Sequence, residues 1–328
     1  MGSSADIRKE NKRLIYHFML DGGQYTKNQV SRGTGLSVAT CNTLLNDMQN
    51  MGLVSGDEKT FGEVGRGSVL YQIKEEHESY LCIHFVVEQA KKIVETIVFS
   101  PTGKVLLQEK KEYENVDYMQ VEAMIERVVE RIPNVVQIIV GVPGIAEHGI
   151  ISHCDIPELN QVDLKSRLEK RFDVKVTLKN DMHLKAMGYF KLTSSEDDVV
   201  TLCNFPSHIL PGTATIHRGM IINGANQFAG MTGFLPYGIS RESQLSMLEG
   251  DTCIPFIKMS ICAIIVLLNP SIIVLTGDLI SENVLHKVKE ECLKDIPTEF
   301  MPEFKIVDNF DNFYYEGMYL QAVYNKEF

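Results

Sequence analysis

The sequence contains no apolar run long enough to cross a membrane. The longest run, Ile261 to Leu268, is far shorter than the ~20 residues that a membrane-spanning helix needs. The stretch from Met1 to Lys12 is polar and charged, so it lacks the apolar centre of a secretory signal. These two absences predict a cytoplasmic protein that has no membrane partner.

Cysteine pairs are also missing. The seven cysteines include no Cys-x-x-Cys spacing, and their number is odd. This pattern predicts buried, reduced thiols and argues against a disulfide framework or a cysteine-rich metal site. The cysteines therefore predict no metal site of this kind, and more generally neither a metal nor a cofactor is expected.

The chain as a whole has no excess of positive charge, because its net charge is −11. Residues 1–74 differ from the rest: nine Lys or Arg against seven Asp or Glu give them a net charge of +2, whereas the remainder carries −13. Since like charges repel, only this N-terminal segment is suited to face a polyanion such as DNA. The length of 328 residues allows two or three domains.

The stretch from Tyr25 to Val54 has the pattern of two helices joined by a glycine turn. Thr26 is expected to cap a first short helix that runs to about Arg32. Gly33 and Gly35 are expected to end it, because glycine tolerates the positive φ of a tight turn. Ser37 is a good N-cap for the second helix.

The second helix is predicted to have one apolar and one small, polar face. The apolar positions recur at helical spacing and comprise Val38, Cys41, Leu44, Leu45 and Met48. The opposite face comprises Ala39, Thr40, Asn42, Thr43 and Asn46. This arrangement is typical of a helix-turn-helix, whose second helix enters a DNA major groove, although many other helical hairpins share it.

The flanking residues complete a winged helix in residues 1–74. Ala5 to Leu20 reads as a preceding helix, and a β-hairpin is expected to follow, with Leu53–Val54 opening a strand, a turn at Gly56–Asp57 and a return strand over 69–73. Arg66, between two glycines, would sit at the wing tip and reach a minor groove. The candidate DNA contacts, led by Thr40 and Thr43, are Arg8, Lys27, Arg32, Ser37, Ala39, Thr40, Asn42, Thr43, Asn46 and Arg66.

From residue 75 onward the pattern becomes α/β and occurs twice. Each half has a strand meander followed by helices and further strands, which predicts a multi-domain chain with a duplicated architecture and a cleft between two lobes. Lobe one is expected over about 75–190 together with a C-terminal helix at about 312–328, and lobe two over about 191–311. Residues 254–268 are apolar all round, so that helix is expected to be central.

Four motifs in this order resemble the ROK family, whose name covers repressors, open reading frames and kinases. They are Gly141-Val-Pro-Gly144, Lys179-Asn-Asp181, Phe228-Ala-Gly-Met-Thr-Gly-Phe-Leu-Pro236 and Asn269-Pro-Ser-Ile-Ile-Val-Leu-Thr-Gly-Asp278. The resemblance implies an actin-like, hexokinase-like (ribonuclease H-like) ATPase-type domain with a sugar cleft, placed after the winged helix-turn-helix. In that family the Asp of an Asn-Asp pair contacts a sugar hydroxyl, and Asn180–Asp181 stands at that place. The alternative is that both residues only cap the following helix.

The sequence departs from the pattern of the family's kinases at both phosphate loops. The first, glycine-rich in kinases, reads Ile83-His-Phe-Val-Val-Glu88, and the second, Thr213 to Gly219, keeps only its last glycine. Bulky side chains prevent the close approach of backbone to phosphate that glycine allows. We therefore expect no kinase activity.

The family's zinc and sugar-contacting residues are also changed. Phe234 replaces the zinc-binding histidine, and Met231 replaces a glutamate that contacts sugar in the family. The remaining candidates for effector contact are Asn180, Asp181, His183 and Met231. His148, His153 and Cys154 could line the cleft or be ordinary loop residues.

These patterns predict a non-enzymatic, sequence-specific transcriptional regulator. It would repress carbohydrate-related genes, bind double-stranded operator DNA as a homodimer and respond to a sugar or sugar derivative in its cleft. Two alternatives remain open. One is a carbohydrate kinase that carries a winged helix, and the other is a winged helix that binds proteins.

Overall fold

The computed structural model describes residues 3–59, 68–88, 91–193, 199–324, 326 and 328. Two compact units are present within the chain. One comprises residues 1–140, 163–177 and 321–328, and the other comprises residues 141–162 and 178–320. The predicted domain boundary at residue 74 stays a prediction, because the N-terminal elements and the first lobe fall within one compact unit.

The N-terminal elements have the order of a winged helix-turn-helix, as the sequence predicts. They are α1 (Ser4–Phe18), β1 (Tyr25–Thr26), α2 (Lys27–Thr34), α3 (Val38–Asn50), β2 (Val54–Lys59) and β3 (Ser68–Ile73). The strands form an antiparallel sheet in the order β1-β3-β2. The predicted wing tip at Gly65-Arg66-Gly67 lies outside the described residues.

Side-chain caps fix the ends of the two central helices. The Thr26 hydroxyl accepts from the Gln29 amide at 3.3 Å, and the Ser37 hydroxyl accepts from the Thr40 amide at 3.1 Å. Each bond satisfies an amide that has no partner within its helix. Gly35 ends α2 with a φ of +73°.

Three local predictions are corrected here. Gly33 does not end α2 but lies inside it, where the Phe18 ring occupies the space that a Cβ atom would need. Val38 is 43% exposed, so the buried face of α3 begins at Cys41. Gly56 and Asp57 form no turn, because β2 continues through them in register with β3.

The small core of this domain includes residues from the far end of the chain. Tyr16 of α1 is fully buried, and its hydroxyl donates to the buried Glu78 carboxylate at 2.7 Å. Lys326 forms an ion pair with Glu78, and the Phe328 ring packs edge-on against Tyr16 at 5.4 Å between centroids. Burial alone would raise the pKa of Glu78, but the Lys326 ammonium and two tyrosine hydroxyls hold that pKa below its ordinary value.

The first lobe follows the predicted meander, helix and strand–helix order. Its elements are β4 (Ser79–Glu88), β5 (Lys91–Phe99), β6 (Val105–Tyr113), α4 (Tyr118–Arg131), β7 (Val135–Val142), β8 (Ile145–Glu147), β9 (Ile150–Ser152), α5 (Leu164–Phe172), β10 (Lys175–Asn180) and α6 (Asp181–Thr193). Five of the strands form a sheet in the order β10-β7-β4-β5-β6, and β8 pairs with β9.

The second lobe repeats this order. Its elements are β11 (Val199–Asn204), β12 (Gly212–His217), β13 (Met220–Ile221), α7 (Arg241–Met247), α8 (Ile254–Leu268), β14 (Ile272–Thr276), α9 (Glu282–Cys292) and β15 (Glu303–Ile306). Helix α10 (Asp311–Tyr324) follows, and its place in lobe one stays a prediction. The sheet order β13-β12-β11-β14-β15 places three meander strands and two later strands in the positions that they occupy in the first sheet. The expected duplication is therefore present in the topology.

Helix α8 is apolar all round, yet it is not central as predicted. One face packs into the core through Phe256, Ile257 and Ile261, whereas Val266 and Leu267 are 69% and 76% exposed. By length and composition alone, Gly250–Leu268 could cross a membrane, with a mean hydropathy of 2.0, but core helices of soluble proteins pass the same test. The solvent-facing side of this helix is therefore apolar.

Candidate nucleic-acid interface and ligand cavity

Helix α3 presents the predicted small, polar face to solvent. Ser37, Ala39, Thr43 and Asn46 are exposed, while Thr40 and Asn42 are half-buried. The opposite face is anchored in the core by Cys41, Leu44, Leu45 and Met48. The face is therefore fixed in orientation, which a surface that reads DNA requires.

Hydrogen bonds already order several of these side chains. The Ser37 and Thr40 hydroxyl oxygens lie 2.8 Å apart, and the Thr43 hydroxyl donates to the Ala39 carbonyl at 3.2 Å. Lys27 of α2 donates to the Asn42 amide oxygen at 2.7 Å. The bond turns the ammonium of Lys27 toward the exposed side of α3.

The predicted cations around α3 differ in their surroundings: one is held in an ion pair and another is exposed to solvent. Arg8 of α1 forms an ion pair with Asp47 of α3, and its hydrogen bond holds the pKa of Asp47 below the ordinary value. Arg32, near the end of α2, is exposed. Arg66 lies outside the described residues. A groove of about 400 Å³ between α1 and α3 is lined by Arg8, Ala39, Thr40 and Thr43, among others.

The residues that were predicted to bind an effector cluster around a cavity of about 330 Å³ in the second compact unit. Asn180 ends β10, Asp181 begins α6, and both line the cavity. Asn180 caps α6, since its side-chain oxygen accepts from the Met182 amide at 2.9 Å, and its amide donates to the Gly144 carbonyl at 2.7 Å. This is the capping role that the sequence left as an alternative.

Two carboxylates define the polar wall of this cavity. Asp181 is paired with Lys185, one turn further along α6, at 2.9 Å. Asp155, which follows β9, also lines the cavity. Close packing around this carboxyl and the nearby charge of Asp181 raise the pKa of Asp155 to about 6.

His183 lies beside the cavity but does not line it. The side chain is buried in α6, and burial together with the charge of Lys179 lowers the pKa of His183 to about 4. It is therefore a neutral, packed histidine near pH 7. Of the three sequence-adjacent candidates, His153 and Cys154 line this cavity, and His148 lines a neighbouring one.

The opposite wall is apolar and aromatic. Met231 and Phe234 line it, and Phe234 remains 43% exposed. The Arg241 guanidinium stacks over the Phe234 ring at 3.8 Å and donates to the Gly233 carbonyl at 2.5 Å. Sequence reasoning missed Arg241 and Asp155, because both come from segments distant from the Asn-Asp pair and carry no motif of their own.

Neither predicted phosphate-loop segment forms an open loop. Residues 83–88 lie within β4, which stays in register with β5 as far as the Glu88–Lys91 pair. Inside that ladder the buried His84 Nε2 lies 3.1 Å from the Glu95 carboxylate. The segment from Thr213 to Gly219 lies in β12 and in the two-residue turn to β13 at Arg218 and Gly219, where φ is positive at both positions.

Within the part of the chain that the structure describes, no group of three or more His, Cys, Asp or Glu side chains could hold a metal ion. The expectation that no metal is bound stays a prediction.

The fold therefore combines a winged helix-turn-helix with a duplicated, two-lobed domain of the actin-like class. A sequence profile described as the ROK family matches residues 87–254, which is more than half of the chain. The chain belongs to the ROK family. No curated protein sequence matches it.

Solved structures share this fold at low sequence identity. A ROK family transcriptional regulator, described as a homologue of the E. coli MLC protein, is 15% identical with a TM-score of 0.68, and the match covers 98% of this chain and 100% of that chain. A ROK family glucokinase from Streptomyces griseus in complex with glucose and AMPPNP is 14% identical with a TM-score of 0.53, covering 72% and 97%. A ROK family protein from Streptococcus pneumoniae in complex with sucrose is 15% identical with a TM-score of 0.56, covering 74% and 98%.

Proposed function

We propose that the chain is a sequence-specific, DNA-binding transcriptional regulator whose second domain binds an effector without catalysis. The observation that carries the proposal is the N-terminal winged helix-turn-helix with an exposed polar face on α3. The match to the regulator extends over 98% of this chain, whereas the kinase match stops at 72%. This difference in coverage supports a regulator over a kinase.

In the proposed complex, α3 enters the major groove. Asn46 and Thr43 face the base edges, because both are exposed, and an asparagine amide can form a bidentate contact with adenine. Arg32 and Lys27 contact phosphates, and Arg8 joins them if its pair with Asp47 opens. Arg66 would add a minor-groove contact.

The second domain is proposed to be non-catalytic. A kinase holds phosphates on glycine-rich backbone, whereas residues 83–88 are ladder-paired with β5, and residues 83–87 are buried or half-buried. Incubation with ATP and magnesium tests this: no thermal stabilisation and no transfer of phosphate to hexoses are expected. A clear stabilisation would favour the kinase alternative.

The remaining parts of the proposal concern partners. We propose a cytoplasmic homodimer that represses carbohydrate-related genes, because two copies would present two α3 helices to a palindromic site. The effector would be a sugar or sugar derivative bound at Asn180 and Asp181. It changes DNA affinity only if it binds the DNA-competent and incompetent arrangements differently.

The central experiment measures binding to duplex DNA from upstream of the gene by fluorescence anisotropy at several salt concentrations. Salt-sensitive, sequence-dependent binding is expected. Arg32→Ala should weaken binding to all sequences and reduce the slope of log K against log salt by about 1. Asn46→Ala should weaken specific binding by about 1–3 kcal/mol.

Lys170→Ala is the matched control, because Lys170 is an exposed cation on α5, outside the N-terminal domain. It should leave the affinity unchanged. Absence of salt-sensitive binding to every upstream fragment would remove the proposal and favour the protein-interaction alternative.

A further inference from the structure

We propose that the ligand of the cavity is a sugar that carries an apolar substituent, such as an aryl glycoside. The inference rests on the proposed effector role of this cavity and names the chemical class of the effector. Its basis is the division of the cavity into a polar and an apolar half, together with a second apolar cavity beside the apolar half.

The polar half has the groups that a sugar ring needs. Asp155, Asp181, Asn180 and Asn204 line one side and offer carboxylate and amide groups to hydroxyls. Asp181 is held by Lys185, so its position is fixed. A volume of about 330 Å³ lies within the ~300–1,000 Å³ range of small-molecule sites.

The apolar half is built mainly from aliphatic and aromatic side chains, with Arg241 and His153 as its polar members. Met231 and Phe234 line it together with Leu210 and Ile209. Placing hydroxyls against these side chains would leave them without hydrogen-bond partners, which is unfavourable. An apolar substituent would instead remove exposed aromatic surface from water.

The Phe234 ring is held in position although much of it is exposed. The guanidinium of Arg241 stacks over the ring, and Phe228 and His153 contact it edge-on at 5.0 and 5.9 Å between centroids. Yet Phe234 is 43% exposed and Phe228 is 46% exposed. A fixed, exposed aromatic surface inside a cavity is typical of a site that contacts an apolar part of a ligand.

A second cavity shows where a larger substituent would lie. It has a volume of about 240 Å³ and shares Met231 with the first cavity. Its walls are mostly apolar and include Phe228, Leu235, Ile264 and Leu267, together with the threonines at 213, 215 and 232. Met231 thus stands between a polar and an apolar space, as the junction between a sugar and its substituent requires.

The test compares pairs of glycosides that differ only in the substituent. Isothermal titration calorimetry on the full chain would use the methyl and phenyl β-glycosides of glucose, galactose, mannose and xylose. For at least one sugar, the phenyl glycoside should bind at least tenfold more tightly than the methyl glycoside. Equal affinities within every pair, or no binding of any phenyl glycoside, would overturn the proposal.

Variants separate the apolar contact from the sugar contact. Met231→Gln and Phe234→Ala should each reduce the phenyl preference to less than threefold, whatever each does to the affinity for the methyl glycoside. Ile239→Ala is the control, because Ile239 is exposed but lines neither cavity, and it should keep the preference. A phenyl preference that survives both cavity variants would contradict this placement.

The same protein sample would be tested for DNA binding by anisotropy. DNA binding without a phenyl preference would remove this inference and leave the proposed regulator intact. A phenyl preference without any DNA binding would remove the proposed regulator and leave this inference intact.

Discussion

The two five-stranded sheets share one topology but bury different polar pairs across their first hairpins. In the first sheet, His84 of β4 faces Glu95 of β5, and both side chains are at most 3% exposed. In the second sheet, Thr201 of β11 faces Thr215 of β12, with hydroxyl oxygens 2.9 Å apart. The two sheets therefore share their strand order but not the free-energy cost of burying the polar pair. That cost is higher in the first sheet, because an ionisable pair loses far more hydration than two hydroxyls.

The largest expected effect comes from breaking the ionisable pair. His84→Leu leaves the buried Glu95 carboxylate without its imidazole partner and should lower the free energy of unfolding by about 3–5 kcal/mol. Urea unfolding would measure this change in the free energy of unfolding. The double variant His84→Leu/Glu95→Leu should recover at least half of that loss, since it also removes the buried carboxylate that lost its imidazole partner. Equal losses in the single and double variants would contradict the comparison.

A smaller effect is expected from the other buried histidine, His183. Burial and the charge of Lys179 lower its pKa and outweigh the opposing charge of Asp181. Its folded pKa of about 4 lies below the ordinary 6.5, so the unfolded chain binds more protons between these values. Stability should fall as pH drops from about 6.5 toward 4, by at most about 3 kcal/mol from this group.

His183→Gln should reduce this loss between pH 7 and pH 4.5 when denaturation curves are compared with the parent. The control is His148→Gln, because the His148 side chain is 90% exposed. That control should keep the parent's pH dependence. An unchanged dependence in His183→Gln would show that His183 is not buried in its neutral form.

The hydroxyl pair of the second sheet should contribute less. Thr201→Val removes one partner and leaves the buried Thr215 hydroxyl without this bond, which should cost about 1–2 kcal/mol. Thr201→Val/Thr215→Val should be close to the parent in thermal unfolding, because both polar groups are gone. A double variant that loses twice the single effect would mean that each hydroxyl has another role.

The smallest effect is expected from an exposed pair on the first sheet. Lys91 of β5 and Glu112 of β6 lie 3.0 Å apart, with side chains 62% and 55% exposed. Glu112→Gln should change stability by no more than about 0.5 kcal/mol, because water screens the pair. If Glu112→Gln lowered the free energy of unfolding as much as His84→Leu does, burial would not explain the difference between the buried and the exposed pair.

Local patterns in the sequence were sufficient to predict most of the fold. The caps at Thr26 and Ser37 and the buried face of α3 depend on neighbours within one helix turn, so spacing alone shows them. Gly33 was predicted wrongly because its place inside α2 depends on Phe18, a tertiary contact. Helix α8 was placed wrongly at the centre because apolar composition does not show whether a neighbour covers each face.

The sequence allowed only some of the residues that line the cavity to be predicted. Asn180 and Asp181 are adjacent in sequence and carry a family motif, so they could be found together. Asp155 follows the β8–β9 hairpin and Arg241 begins the short helix α7, and neither residue belongs to one of the four family motifs. The effector contacts of Asn180, Asp181, His183 and Met231, and the DNA contacts of α3, stay predictions.

The contact between Tyr16, Glu78, Lys326 and Phe328 has a consequence for synthesis on the ribosome. A winged helix made of residues 1–74 would ordinarily fold as soon as it leaves the exit tunnel. Here its core is completed by Phe328, and the buried carboxylate beside it is neutralised by Lys326. The winged helix therefore reaches its final packing only after Lys326 and Phe328 have been synthesised, about 250 residues after its own last strand.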